Sequence, residues 1–184
     1  MREARVPYCV FDTAIGCCGL AWNGRGITHM QLPDGDRDGT ERQLRRRAIG
    51  EGAAEPPAEI APAVGALQRY FAGEAIDLSS ITVDLGDRGS ADLAIYAALR
   101  AVGWGETVTY GELARRAGLP KGAQAVGQAM AKNPVPVIVP CHRVLAAGGR
   151  IGGFSAPGGT TTKERLLTLE GVRLDGGAPR LPGL

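Results

Sequence analysis

The chain has 184 residues, 44% of them apolar and 22% charged, with a net charge of +2. That length suits one ordinary domain or two small ones, each able to bury a core, and 28 Gly with 12 Pro stay below the share that marks low-complexity chains. No run of 18 apolar residues is present and Met1–Val10 carries charges instead of an apolar signal-peptide centre, so the sequence argues against a membrane span and against export, and the cytoplasm is the expected compartment.

Charge is unevenly spread. Residues 1–85 carry nine basic against twelve acidic side chains and residues 86–184 twelve against seven, so any polyanion is expected on the C-terminal half. Tyr8, Val10, Ala21, Ile27 and Met30 alternate with small or polar residues, and Asn23-Gly24 is a turn signal, which predicts antiparallel strands and a hairpin. Cys9, Cys17, Cys18 and His29 lie close enough in sequence to suggest zinc. Adjacent cysteines on a strand point to opposite faces, however, so these thiols are read as small buried side chains and no metal is expected.

Residues 34–38 and 51–57 read as loops flanking a short basic helix from Arg42 to Ile49. Ile60, Val64, Leu67 and Phe71 repeat at helical spacing, with Gly73 to close the helix, and Leu78–Leu85 returns to a strand-like run. From Ser90 the texture becomes helical. Ser90 is placed to cap a helix carrying Leu93, Ile95, Tyr96, Leu99 and Val102 and stopping at Gly103. The expected organisation is therefore α+β, with a small N-terminal α/β sheet domain over 1–86, a mainly helical domain over 87–173 and an irregular tail over 174–184.

Thr109-Tyr110-Gly111-Glu112 matches a capping box for a short helix through Leu113–Ala117 that ends at Gly118. Pro120 turns the chain, and a second helix from Gly122 to Ala131 follows. Two short helices joined by a Gly-Leu-Pro turn have the shape of a helix-turn-helix. Downstream, Pro134, Pro136 and Pro140 forbid a helix and predict an extended, rigid path to Cys141. Gly148-Gly149, Gly152-Gly153 and Gly158-Gly159 then permit turns around Phe154-Ser155, and a last helix runs from Thr161 to Glu170, closed by Gly171.

Cysteine attacks as thiolate, so a reactive Cys141 needs a base or positive field, and His142 and Arg143 are adjacent. On an extended segment neighbouring side chains diverge. A bridging water or a bend would then have to join sulfur and imidazole, and the same pair also fits a structural cysteine beside a carbonyl-bonded histidine.

The run Ile138-Val139-Pro140-Cys141-His142-Arg143-Val144 resembles the active-site signature of the O6-alkylguanine-DNA alkyltransferases. The resemblance spans roughly 96–172 and includes Tyr110, Ala125-Val126-Gly127, Asn133-Pro134, Gly153-Phe154-Ser155 and Leu169-Glu170-Gly171. It implies a ribonuclease-H-like first domain, which residues 1–85 match only in size and strand pattern.

By resemblance, Cys141 is the alkyl acceptor, His142 the base through a water, Glu170 the carboxylate orienting the imidazole, and Tyr110 a donor to the departing base. Asn133 ties the second helix to the active-site strand. The implied guanine pocket takes in Tyr110, Met130, Val144, Gly153, Phe154 and Ser155. The implied partner is double-stranded DNA holding O6-alkylguanine, and O4-alkylthymine as a further lesion, met by a monomer without a cofactor. Implied DNA contacts are Tyr110, Lys121, Gln124, Ala125, Gly127, Lys132 and Arg143, with the second helix in the minor groove and the base flipped outward.

Two positions depart from the family pattern. Gln124 stands where an arginine fills the gap left by the flipped base, losing a fixed charge and a planar fork, and Phe154 stands where a tyrosine is common. Gln124 keeps open a second expectation, an alkyltransferase-like protein that recognises alkylated bases with slow or no transfer. A helix-turn-helix regulator and an unrelated Cys-His hydrolase remain as further classes.

Overall fold

A computed structural model describes residues 6–48 and 50–174, so the expected end of the basic helix at Ile49 and most of the expected tail lie outside the described residues. A four-stranded sheet opens the chain, built from β1 (Val6–Thr13), β2 (Gly16–Asn23), β3 (Gly26–Gln31) and β4 (Gly50–Ala53) in the order β3-β2-β1-β4. The first three strands pair antiparallel, with Tyr8 opposite Ala21 and Leu20 opposite Met30, while β4 runs parallel to β1. The β2–β3 turn falls at the expected Asn23-Gly24. Its last residue, Gly26, takes φ +141, and a Cβ there would stand 2.8 Å from the Thr82 carbonyl.

Side-chain alternation gives the sheet two faces. Tyr8 and Ala21 meet Leu44 of α1 (Arg37–Ala48) on one, while Phe11, Cys18, Leu20 and Trp22 face the main core with α2 (Ala61–Phe71) on the other. Helix α1 begins five residues before the expected Arg42, inside the stretch read as loop, because Asp36 Oδ1 accepts the Gly39 N–H at 2.7 Å and acts as a cap. The Gly-rich stretch after α1 supplies β4, although it was expected to be a loop.

Leu78–Leu85 is not a strand. Among the described residues its backbone bonds to the sheet through Ile27 alone, at Thr82 and Asp84, with one bridge at Val83. Asp77 and Asp84 fold their carboxylates onto the N–H groups of Ser79 and Gly86, and Arg100 takes the carbonyls of Ser79 and Ile81 at 2.5 and 2.6 Å. The groups a ladder would use are thus bonded to side chains.

The helical half holds α3 (Ser90–Arg100), α4 (Tyr110–Arg116), α5 (Ala123–Ala131) and α6 (Gly159–Leu169). Ser90 does not cap α3. Gly89 is the cap residue, without a side-chain bond, and Ser90 opens the first turn. The capping box at Thr109 and Glu112 is complete, and Gly118 takes φ +75 after α4. β5 (Val108–Thr109) pairs parallel with β6 (Val144–Leu145), setting the start of α4 beside the residue after Arg143.

One hydrophobic cluster joins the halves, from Phe11, Leu20 and Leu67 through Ile95, Leu113 and Val126 to Cys141 and Leu166. Met30 N–H of β3 also donates to the Pro134 carbonyl at 2.9 Å, tying the segment before Cys141 to the sheet. None of the described helices is long and apolar enough to cross a membrane.

Candidate active site

Segment 133–140 leaves α5 without forming a regular element. Asn133 holds it from inside, its Oδ1 accepting Val135 N–H at 3.0 Å and its Nδ2 donating to the Val139 carbonyl at 2.8 Å. Between these anchors Val137 adopts φ +74, a costly conformation for a β-branched residue that the flanking bonds impose. The path to Cys141 is therefore rigid, as the prolines require, but it ends differently from the extended segment expected. Residues Cys141–Arg143 form a single 3-10 turn, closed by the Arg143 N–H on the Pro140 carbonyl at 2.9 Å. The chain therefore bends at Cys141, where the expected extended segment would have carried straight on.

Cys141 is 5% exposed. Burial pushes its thiol pKa up, opposed by the Asn133 side chain, by the charge of Lys163 and by the N–H groups of Cys141 and His142. The groups that stabilise a thiolate are thus fixed around the sulfur in advance. His142 is fully buried, and burial lowers its pKa despite the Glu170 carboxylate, so the ring is neutral near pH 7. Its Nε2 lies 2.8 Å from Glu170 Oε1, whereas Nδ1 has no hydrogen-bond partner among the described residues. A carboxylate only accepts, so Nε2 carries the proton and Nδ1 presents its lone pair.

Glu170 caps the C-terminus of α6 and is buried. Burial alone would raise its pKa, but hydrogen bonds from His142, Arg143 and Tyr70 bring it down to about 2. Arg143 binds it with Nε and Nη2, both at 2.9 Å, and gives Nη1 to the Val102 carbonyl at 2.5 Å. Arg143 is only 6% exposed. Its expected role as a DNA contact is therefore corrected, because the guanidinium is the counter-ion of Glu170 and cannot also reach a phosphate.

Tyr110 opens α4, half-buried, and its pKa is raised by burial and then by the charge of Cys141. A Cβ at Gly152 would lie 3.0 Å from the Tyr110 hydroxyl, so the glycine is what lets the loop pass over the ring. Lys163 of α6 is fully buried and donates to the carbonyls of Val144 at 2.5 Å and Gly153 at 3.3 Å, pinning the loop to the active-site turn. Burial lowers its pKa to about 8.

The fold thus gathers Cys141, His142, Glu170, Asn133, Tyr110, Val144 and Gly153 at one place. Met130 is buried at the end of α5, Phe154 is half-buried against the core, and Ser155 is exposed. Gln124, Lys121 and Lys132 are exposed on or beside α5, Ala125 is half-buried, and Gly127 has open space where a Cβ would be. A separate cavity of about 210 Å³, lined by Asp77, Arg100, Trp104, Ile138 and Arg143, reaches neither Cys141 nor Tyr110.

Two participants escaped the sequence reading. Tyr70 occupies a core position of α2, three residues after Leu67, where a buried hydroxyl needs a partner. Lys163, Leu166, Leu167 and Glu170 share one face of α6 at helical spacing, so opposite charges on an apolar stripe were legible as a buried pair of sites.

Residues 90–172 match the family described as 6-O-methylguanine DNA methyltransferase, DNA binding domain. The methylated-DNA–protein-cysteine methyltransferase of Methanosarcina acetivorans is 35% identical over 165 residues, covering 89% of this chain and 97% of that one. The Mus musculus protein of the same name is 36% identical over 193 residues, covering 100% and 89%. Among solved structures, the Mycobacterium tuberculosis protein determined in complex with DNA superposes with a TM-score of 0.71 at 35% identity, covering 90% of this chain and 92% of that one. With a buried cysteine in a single turn, a buried His–Glu pair and relatives that align over nearly the whole length, the chain belongs to the methylated-DNA–protein-cysteine methyltransferase family.

Proposed function

We propose that the protein repairs DNA by moving the alkyl group of O6-alkylguanine onto Cys141 once per molecule. The observation that carries this reading is the buried imidazole of His142, next to Cys141 in the chain, whose Nε2 is used on Glu170 while Nδ1 has no partner among the described residues. The thiol proton passes through a water to Nδ1, and Glu170 steadies the imidazolium. Sγ then attacks the alkyl carbon, the C–S bond forms as the C–O6 bond breaks, and the electron pair goes to the guanine. A hydrogen bond from the Tyr110 hydroxyl to the ring eases that departure. Displacement at a saturated carbon calls for no cofactor. The thioether formed offers water no leaving group, and no second cysteine lies in sequence near Cys141, which makes the transfer irreversible.

O6 is hidden in a stacked duplex, so the nucleotide must be turned out. Helix α5 is suited to do this from the minor groove, with Gln124 at the vacated position, Ala125 and Gly127 allowing close approach, and Lys121 and Lys132 on phosphates. O4-alkylthymine is a second substrate of the same chemistry, and the protein works as a cytosolic monomer built from the 1–86 and 87–173 domains. Gln124 also supports a weaker reading, in which the base is held but transferred slowly.

Incubation with a duplex containing O6-methylguanine, followed by mass spectrometry, tests the proposal. The peptide bearing Cys141 should gain one net CH2, and Cys141→Ala should gain none. Binding without a mass gain would establish the recognition-only reading, and turnover beyond one equivalent would falsify the single-use mechanism.

A further inference from the structure

The phenol of Tyr70 enters the Glu170–His142 centre from the N-terminal half of the molecule. Helix α2 carries it there, and the ring is held edge-on against Phe71 and Trp104, with centroids 5.1 and 5.2 Å away. Its hydroxyl donates to Glu170 Oε1 at 2.5 Å and stands 3.2 Å from His142 Nε2. The same carboxylate oxygen receives His142 Nε2–H at 2.8 Å and the Arg143 guanidinium, while Oε2 takes the Gly105 N–H at 3.1 Å.

We propose that Tyr70 is a positioning residue for the transfer, fixing the His142 ring through Glu170 and setting how much of the carboxylate charge the imidazole feels. Oε1 has few lone-pair directions and several donors compete for them. A phenol that occupies one of them at short range draws charge from the oxygen and weakens its pull on the imidazole proton. His142 is thereby kept oriented by Glu170 yet not locked in its protonated form, and a neutral ring is what can accept the thiol proton. Among the described residues the titratable and charged groups around the imidazole are Glu170 and Tyr70 at Nε2, Arg143 beside the carboxylate, the neighbouring thiol of Cys141, and Lys163, whose charge disfavours a second cation. Because Tyr70 lies 100 residues before Glu170, the N-terminal half contributes a group to the reacting centre as well as packing.

The inference rests on the transfer reading, and its test separates the two. Tyr70→Phe in the full chain keeps the ring and removes only the hydroxyl. The chain has two histidines, so the nitrogen resonances of His142 are assigned by difference from His29→Gln. In Tyr70→Phe the imidazole should titrate higher by about half a pH unit or more, as expected when one donor leaves a carboxylate that faces it. The acid limb of single-turnover methyl transfer should move the same way, slowing transfer about threefold on that limb, with duplex affinity held within about twofold. Leu67→Val, which loosens the same helix, should lower thermal stability and move neither. An unmoved or lowered His142 titration in Tyr70→Phe, or an equal shift in Leu67→Val, overturns the proposal. A raised titration in a protein whose wild type takes up no methyl group would leave the hold on His142 standing and remove the transfer reading instead.

Discussion

Glu170 shows how one buried charge can serve stability and chemistry together. It is neutralised by Arg143 and bonded by Tyr70, His142 and the Gly105 N–H, so its cost of burial is offset only while every partner is present. Glu170→Gln leaves the Arg143 guanidinium buried without a counter-charge and should destabilise by about 3–5 kcal/mol, measured by urea unfolding at pH 7. The pH dependence has a definite sign. A carboxyl held at about 2 against an ordinary 4.5 contributes stability that is complete above 4.5 and disappears as pH falls through about 2. Wild-type stability should therefore fall across that window more steeply than that of Glu170→Gln, and parallel curves would show that the carboxylate is not held as described. At this scale the sequence was partly readable. Cys141 and His142 stood out as an adjacent nucleophile and base, whereas the Arg143–Glu170 pairing depends on a meeting of two elements 27 residues apart, which no local pattern encodes.

At the scale of elements, caps and prolines were the most informative features. The Thr109–Glu112 box fixed the start of α4, and the prolines excluded a helix before Cys141, because both act through bonds within a few residues. The loss of a strand at 78–85 was not readable, since Arg100, distant in sequence, occupies two of the carbonyls a ladder would use. Helix α5 presents Gln124 to solvent near Lys121, with Lys132 exposed at its far end, on a surface of small residues. An exposed glutamine can fill space but brings no charge to a polyanion. Gln124→Arg should tighten binding to a duplex by up to about tenfold at low salt, the effect shrinking as salt is raised. Unchanged or weaker binding in a filter or anisotropy titration would show that Gln124 does not enter the duplex.

Across the whole molecule, the compositional break near residue 86 is not a break in packing. The main core runs from the sheet through α2 and α3 to Cys141 and α6, the β3 edge bonds to Pro134, and Tyr70 reaches Glu170. Fold class followed from periodicity, but the fusion of the two halves rests on contacts between distant segments and was invisible in sequence. The arrangement has a consequence for the protein after its single reaction. Cys141 is nearly sealed, the Asn133 side chain favours its thiolate, and Asn133 also anchors the Val135–Val139 loop that holds Val137 in a strained conformation. A methyl group on the sulfur adds volume to a packed site and replaces a thiolate acceptor by a poor one, a change that costs about 1–3 kcal/mol in close-packed interiors. At roughly 2–4 °C per kcal/mol for a chain of this size, the melting temperature of the fully methylated protein should fall by several degrees. Scanning calorimetry on unreacted and methylated samples decides the point: an equal or higher transition after methylation would mean that the site relaxes around the alkyl group and is not rigid.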